Sequence, residues 1–177
     1  MKHLRIGDID LSEYVWQPTH VHDRTVIRID RAVMALDPEA EISNGGPGER
    51  SGIQWSFLVT KNGQPTPRKL QEFLTGEDEQ WQIALSYRGP LITAISFQGE
   101  RRAGNRPDLI HMMADKVTSP ALVAMTKKLA DDLRLVYLDA GELMALEIPW
   151  DELQGNAADR LDYSEMPNAF NLLFYEY

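Results

Sequence analysis

The chain has 177 residues, 43% apolar and 25% charged, with no Cys and a formal net charge of −9. That length suits one domain able to bury about 70% of the surface its unfolded form exposes, and the composition excludes bulk disorder. The missing Cys excludes disulfides, a thiol nucleophile and thiolate metal sites.

The charge is unevenly placed. Residues 1–128 balance 16 Lys and Arg against 16 Asp and Glu, whereas 129–177 carry two basic residues, Arg134 and Arg160, against 11 acidic ones. The whole net charge therefore lies in the C-terminal stretch. A solvated face of that sign repels nucleic acid and anionic membrane and steers cationic partners toward itself.

In chain order, Met1–Asp10 interrupts its apolar residues with Lys2, His3, Arg5, Asp8 and Asp10, so it lacks the continuous apolar core of a signal peptide. The longest apolar runs, Ala121–Met125 and Leu172–Tyr175, fall far short of the roughly 20 residues that cross a bilayer. These features, and the absence of Cys, read as a soluble cytoplasmic protein.

His20-Val21-His22-Asp23 follows Pro18. In extended backbone His20 and His22 would share a face, a spacing that can hold a Zn²⁺ through two imidazoles, with Asp23 as ligand or orienting group. A third ligand would have to come from Asp30 or His111, and no downstream motif completes the set; two exposed loop histidines are the simpler expectation. Thr25–Ile29 has the branched composition of a strand.

The run 43–52, with Asn44, Gly45, Gly46, Pro47 and Gly48, can continue neither helix nor strand and is expected as a flexible loop. It lacks the Lys-Ser/Thr pair of a phosphate loop. Ile53–Thr60 reads as a strand, and Thr66-Pro67 through Leu70, Phe73, Leu74 to Gly76 as a capped helix. Trp81–Tyr87 and Leu91–Phe97 flank Arg88-Gly89-Pro90 as a hairpin. A polar loop with Arg101, Arg102 and Arg106 comes next; its arginines are expected to pair with carboxylates or to be solvated. Leu109, Met113 and Val117 allow a helix over 108–117.

Ser119-Pro120 opens a helix in which Leu122, Met125, Leu129 and Leu133 form one apolar stripe. A second hairpin is expected from Leu135–Leu138 and Leu143–Ile148 around Asp139-Ala140-Gly141, then a polar acidic loop over 154–168, then a strand over Leu172–Tyr175. Phe170, Leu172 and Phe174 alternate as strand residues do. Hairpins outnumber strand-helix-strand units, so the expected fold is α+β: a single domain over 1–177 with a mainly antiparallel sheet built from hairpins and two to three helices packed on one face.

No motif fixes a reaction. There is no G-x-S-x-G elbow and no S-x-x-K, and carboxylate pairs such as Asp151-Glu152 or Glu77 and Glu79 read as solvated. The remaining signal is the acidic region 129–177, where aromatics are interspersed with carboxylates as in a protein interface. Trp150, Asp151, Glu152, Asp159, Asp162, Tyr163 and Glu165 are the expected partner-binding residues, with no catalytic residue, cofactor or metal. The expectation is a non-catalytic protein that engages a basic protein partner, in its most concrete form an immunity or antitoxin protein that neutralises a toxin. The alternatives are a metal-dependent hydrolase centred on His20, His22 and Asp23, and an assembly subunit or chaperone. The pattern sets no oligomeric state.

Overall fold

Period-two patterning builds the centre of the molecule. The computed structural model describes residues 4–15, 23–38, 40–44, 52–59, 79–98, 119–148 and 168–174. In it Glu41–Asn44 (β3), Gly52–Val59 (β4), Glu79–Ser86 (β5) and Leu91–Gln98 (β6) pair antiparallel in sequence order, and Val136–Tyr137 (β7) adds a parallel edge to β6. The strands at Ile53 and on either side of Arg88-Gly89-Pro90 lie where the sequence places them. Ahead of this sheet, Arg5–Ile6 (β1) and Ile9–Asp10 (β2) form a small hairpin, turned at Gly7 with φ of 56°, and lead into the short helix Ser12–Val15 (α1).

The two faces of the sheet differ in chemistry. Ile53, Trp55, Phe57 and Val59 of β4, Trp81, Ile83 and Leu85 of β5, and Ile92 and Ala94 of β6 share one apolar face. Phe57 and Trp81, directly paired across β4 and β5, meet edge to face with ring centroids 5.9 Å apart. Asp23–Leu36 (α2) and Pro120–Leu133 (α3) cover this face through Ile29, Val33, Leu122 and Ala130. Trp55 Nε1 also donates to Asp30 on α2, at 3.4 Å.

The opposite face carries Gln54, Ser56, Gln82, Ser86 and Thr93 among apolar neighbours Ala84, Leu91 and Ile95. Burying such groups requires partners. Gln82 Nε2 donates to Gln54 Oε1 at 2.7 Å, Gln54 Nε2 to the Phe174 carbonyl at 3.1 Å, and Thr93 Oγ1 to the Leu138 carbonyl at 2.7 Å. A second helical layer formed by α1, Ala140–Ala145 (α4) and Ala169–Phe174 (α5) lies on this side. Gly52 lets it come close: a Cβ there would sit 2.5 Å from the Leu85 carbonyl and 3.1 Å from that of Phe174. The α+β class and the antiparallel sheet with two long helices on one face are as the sequence implies; the short helices on the other face are an addition.

Three elements differ from the sequence reading. Thr25–Ile29 is helical, inside α2, because Val26, Ile29 and Val33 recur at i, i+3 and i+7 and their burial outweighs the local preference of branched residues for strands. The proposed hairpin of 135–148 is a parallel strand followed by a helix. Asp139 caps α4 by accepting from the Glu142 backbone N–H at 3.0 Å, so Asp139-Ala140-Gly141 starts a helix instead of turning a hairpin. Residues 172–174 belong to α5, capped by Asn168, whose side chain accepts from the Asn171 N–H at 2.9 Å. Phe170, Leu172, Leu173 and Phe174 are all buried, so no helical period is visible, and Phe170 and Phe174 stack one turn apart. The helices expected at Thr66–Gly76 and 108–117 lie outside the described residues, as do 45–51 of the glycine-rich run and the arginine loop; Ser43 and Asn44 end β3, and Gly52 begins β4.

Within α3 the fully buried row is Leu122, Thr126 and Ala130, flanked by half-buried Met125, Leu129 and Leu133. Thr126 satisfies its hydroxyl on the Leu122 carbonyl at 2.8 Å. Leu122→Ala is therefore expected to cost about 2–5 kcal/mol, Leu129→Ala less, and Lys128→Ala within about 0.5 kcal/mol. Urea unfolding of the three variants checks this ordering.

Candidate functional site

The described part of the acidic stretch runs through α3, β7 and α4. Asp131 and Asp132 are exposed in the last turn of α3. Arg134 ends that helix in the left-handed conformation, φ 57° and ψ 43°, where its N–H and that of Leu135 return to the Asp131 and Ala130 carbonyls. The chain then reverses into β7, held by Val136 N–H to the Pro90 carbonyl at 2.7 Å and Leu138 N–H to the Ile92 carbonyl at 2.9 Å. Glu142 and Glu147 are exposed beyond it, while Asp139 is half-buried as the cap of α4.

Glu147 marks where the expected partner-binding segment departs. It forms an antiparallel bridge with Asn168, and the Ala169 N–H donates to the Leu146 carbonyl at 3.0 Å. Residues 147 and 168 thus lie side by side between α4 and α5. Trp150, Asp151, Glu152, Asp159, Asp162, Tyr163 and Glu165 all fall between these ends, outside the described residues. Phe170 and Phe174 are buried in the core.

His20, His22 and His111 are likewise outside the described residues. Asp23 is exposed at the start of α2, where a carboxylate complements the helix dipole. Asp30 is engaged by Trp55. Among the described residues no group of three or more His, Asp or Glu side chains is disposed to hold a metal ion, and no helix is long and apolar enough to cross a membrane.

Protein-family models, curated proteins and solved structures offer no match to this chain. The reading of its surface rests on the residues themselves.

One group beside the acidic run is electrostatically perturbed. Tyr137 on β7 has its phenol raised from the ordinary 10.0 to about 12, by burial first and then by the negative charges of Asp139 and Glu142. Lys127 Nζ lies 5.2 Å from the ring centroid, a cation–π contact. The Tyr137 hydroxyl is buried and has no hydrogen-bond partner among the described residues. Two signals that sequence reading passed over account for this corner: the Asp139-x-x-Glu142 capping pattern, and Asn168 three residues before Asn171 after Pro167.

Because the folded pKa of Tyr137 exceeds the unfolded one, its contribution to stability is complete below about pH 10 and is lost as pH rises toward about 12. Tyr137→Phe is expected to remove that component of alkaline destabilisation while leaving stability at pH 7 unchanged or slightly raised, since the hydroxyl gives up no partner. Absorbance titration of the phenols together with denaturation at pH 7, 10 and 11 measures both effects.

Proposed function

We propose that this is a non-catalytic, cytoplasmic protein-binding protein whose acidic C-terminal region engages a basic protein surface, with an immunity or antitoxin role against a toxin as its most concrete form. The observation that carries the reading is the confinement of all nine net negative charges to residues 129–177. Supporting it, Asp131, Asp132, Glu142 and Glu147 are exposed. The segment with the densest mixture of acids and aromatics lies in sequence between Glu147 and Asn168, which are bridged to each other. Carboxylates can occupy a site on the partner that otherwise receives phosphates, which is how an acidic protein blocks a nucleic-acid-directed toxin.

In this reading Trp150 and Tyr163 supply desolvated contact, and Asp151, Glu152, Asp159, Asp162 and Glu165 supply attraction and selectivity. Association with a partner captured from the source cell is expected to be fast at low salt and to slow toward about 0.5 M, because exposed charges are screened over about 10 Å at 0.1 M. Changing the five acids to Asn or Gln should reduce the on-rate and flatten its salt dependence, while Trp150→Ala should act mainly on the off-rate. A captured partner whose on-rate ignores both salt and the five substitutions would overturn the reading.

A further inference from the structure

Against the acidic balance of the chain, the outward face of α2 is basic. Arg24, Arg28 and Arg31, at i, i+4 and i+7, are all exposed. They rise along one side of the helix over about 10 Å. Ile27 lies on the same side and at 48% is the most exposed large hydrophobic residue among those described. Neither Arg24 nor Arg31 has a hydrogen bond or ion pair with a described side chain. Arg28 donates from Nη2 to the backbone carbonyl of Asp132 at 3.4 Å.

That bond fixes what lies beside the arginines. It ties the middle of α2 to the last turn of α3, where Asp131 and Asp132 are exposed at the negative end of a helix that has no basic residue in that turn. Carboxylates in that position oppose the helix dipole. Arg134 follows just past the helix end, Lys128 lies one turn earlier, and Lys127 is placed over Tyr137. A stripe of exposed guanidinium groups and a pair of dipole-opposed carboxylates thus adjoin on one surface.

We propose that this surface is an interface with a second copy of the chain, in a twofold pair where Arg24 and Arg31 of each copy meet Asp131 and Asp132 of the other and the two Ile27 side chains come under cover. Adjoining patches of opposite sign are self-complementary under a twofold rotation, since each patch meets the other's counterpart and the arrangement closes on itself. Guanidinium forks match carboxylates bidentately, so the attraction is short-ranged and specific. The overall charge of −9 on each copy opposes association at a distance. The pairing is therefore weak and reversible, and it disfavours nucleic acid or anionic membrane as occupant, because extended polyanions feel the whole charge. None of the residues named in it belongs to 150–165.

The test is analytical ultracentrifugation of the full chain at concentrations up to about 0.5 mM, in about 50 mM and about 0.5 M salt. Wild type should show a monomer–dimer equilibrium whose dissociation constant rises at least about tenfold at the higher salt, where short ion pairs are screened. Arg24→Glu with Arg31→Glu should sediment as a monomer, as should Asp131→Lys with Asp132→Lys; an equimolar mixture of these two proteins should recover a one-to-one dimer. Far-UV circular dichroism and thermal melts show that each variant is folded, and the Asp131→Lys, Asp132→Lys protein should melt above wild type because it now complements the α3 dipole. A wild-type protein that stays monomeric throughout, a dimer that survives either pair of substitutions, or a mixture of folded variants that fails to associate would each overturn the proposal.

Discussion

The rest of the described structure depends on the eight-residue antiparallel register between β4 and β5, from Gly52 opposite Ser86 to Val59 opposite Glu79. Side chains alternate with period two, so this register decides which chemistry each face presents. A slip of one residue in β4 would turn Gln54 and Ser56 under α2 and α3 and drive Trp55 and Phe57 against α5. The correct register instead gives α2 and α3 an apolar surface and gives α5 a floor that can accept its backbone. The last described carbonyl of α5, on Phe174, is met by the Gln54 amide, and the adjacent Gly52 leaves it room. The polar groups of that face are therefore part of how the second helical layer is held.

What was legible in the sequence follows from where periodicity survives. β4, β5, β6 and α3 have long, clean patterns, and α3 adds a Ser-Pro start, so their positions could be read directly. α2 was missed because Thr25, Val26, Ile27 and Ile29 look like a strand in a five-residue window; only across 14 residues does the helical stripe dominate. α4 and α5 were missed for a different reason. Each has six residues, and α5 is buried nearly all round, so neither shows a moment; only their caps at Asp139 and Asn168 announced them. For the site, charge placement was legible from composition, but the basic face of α2 was not, because arginines spaced at i, i+4 and i+7 gather on one side only once the segment is known to be helical.

The electrostatic character of the molecule is consequently layered. The α2–α3 side exposes Arg24, Arg28, Arg31, Lys127 and Lys128, with exposed acids at Asp23 and at Asp131 and Asp132, whereas the α4 side exposes Glu142 and Glu147. A net charge of −9 describes the field far from the protein and says little about what a partner meets at contact distance. The phenol of Tyr137, pushed up first by burial and then by Asp139 and Glu142, feels these acids locally even though Lys127 Nζ lies 5.2 Å from its ring centroid.

The bridge between Glu147 and Asn168 joins two points of the chain that are far apart in sequence. Closing a chain excursion costs entropy that grows only with the logarithm of its length, about 0.6 kcal/mol for each doubling. Here the closure is made by backbone groups of Leu146, Glu147, Asn168 and Ala169, whose pairing does not depend on the side chains between them. The two ends are therefore held together by main-chain pairing, set against a closure cost that varies little with the number of residues between them.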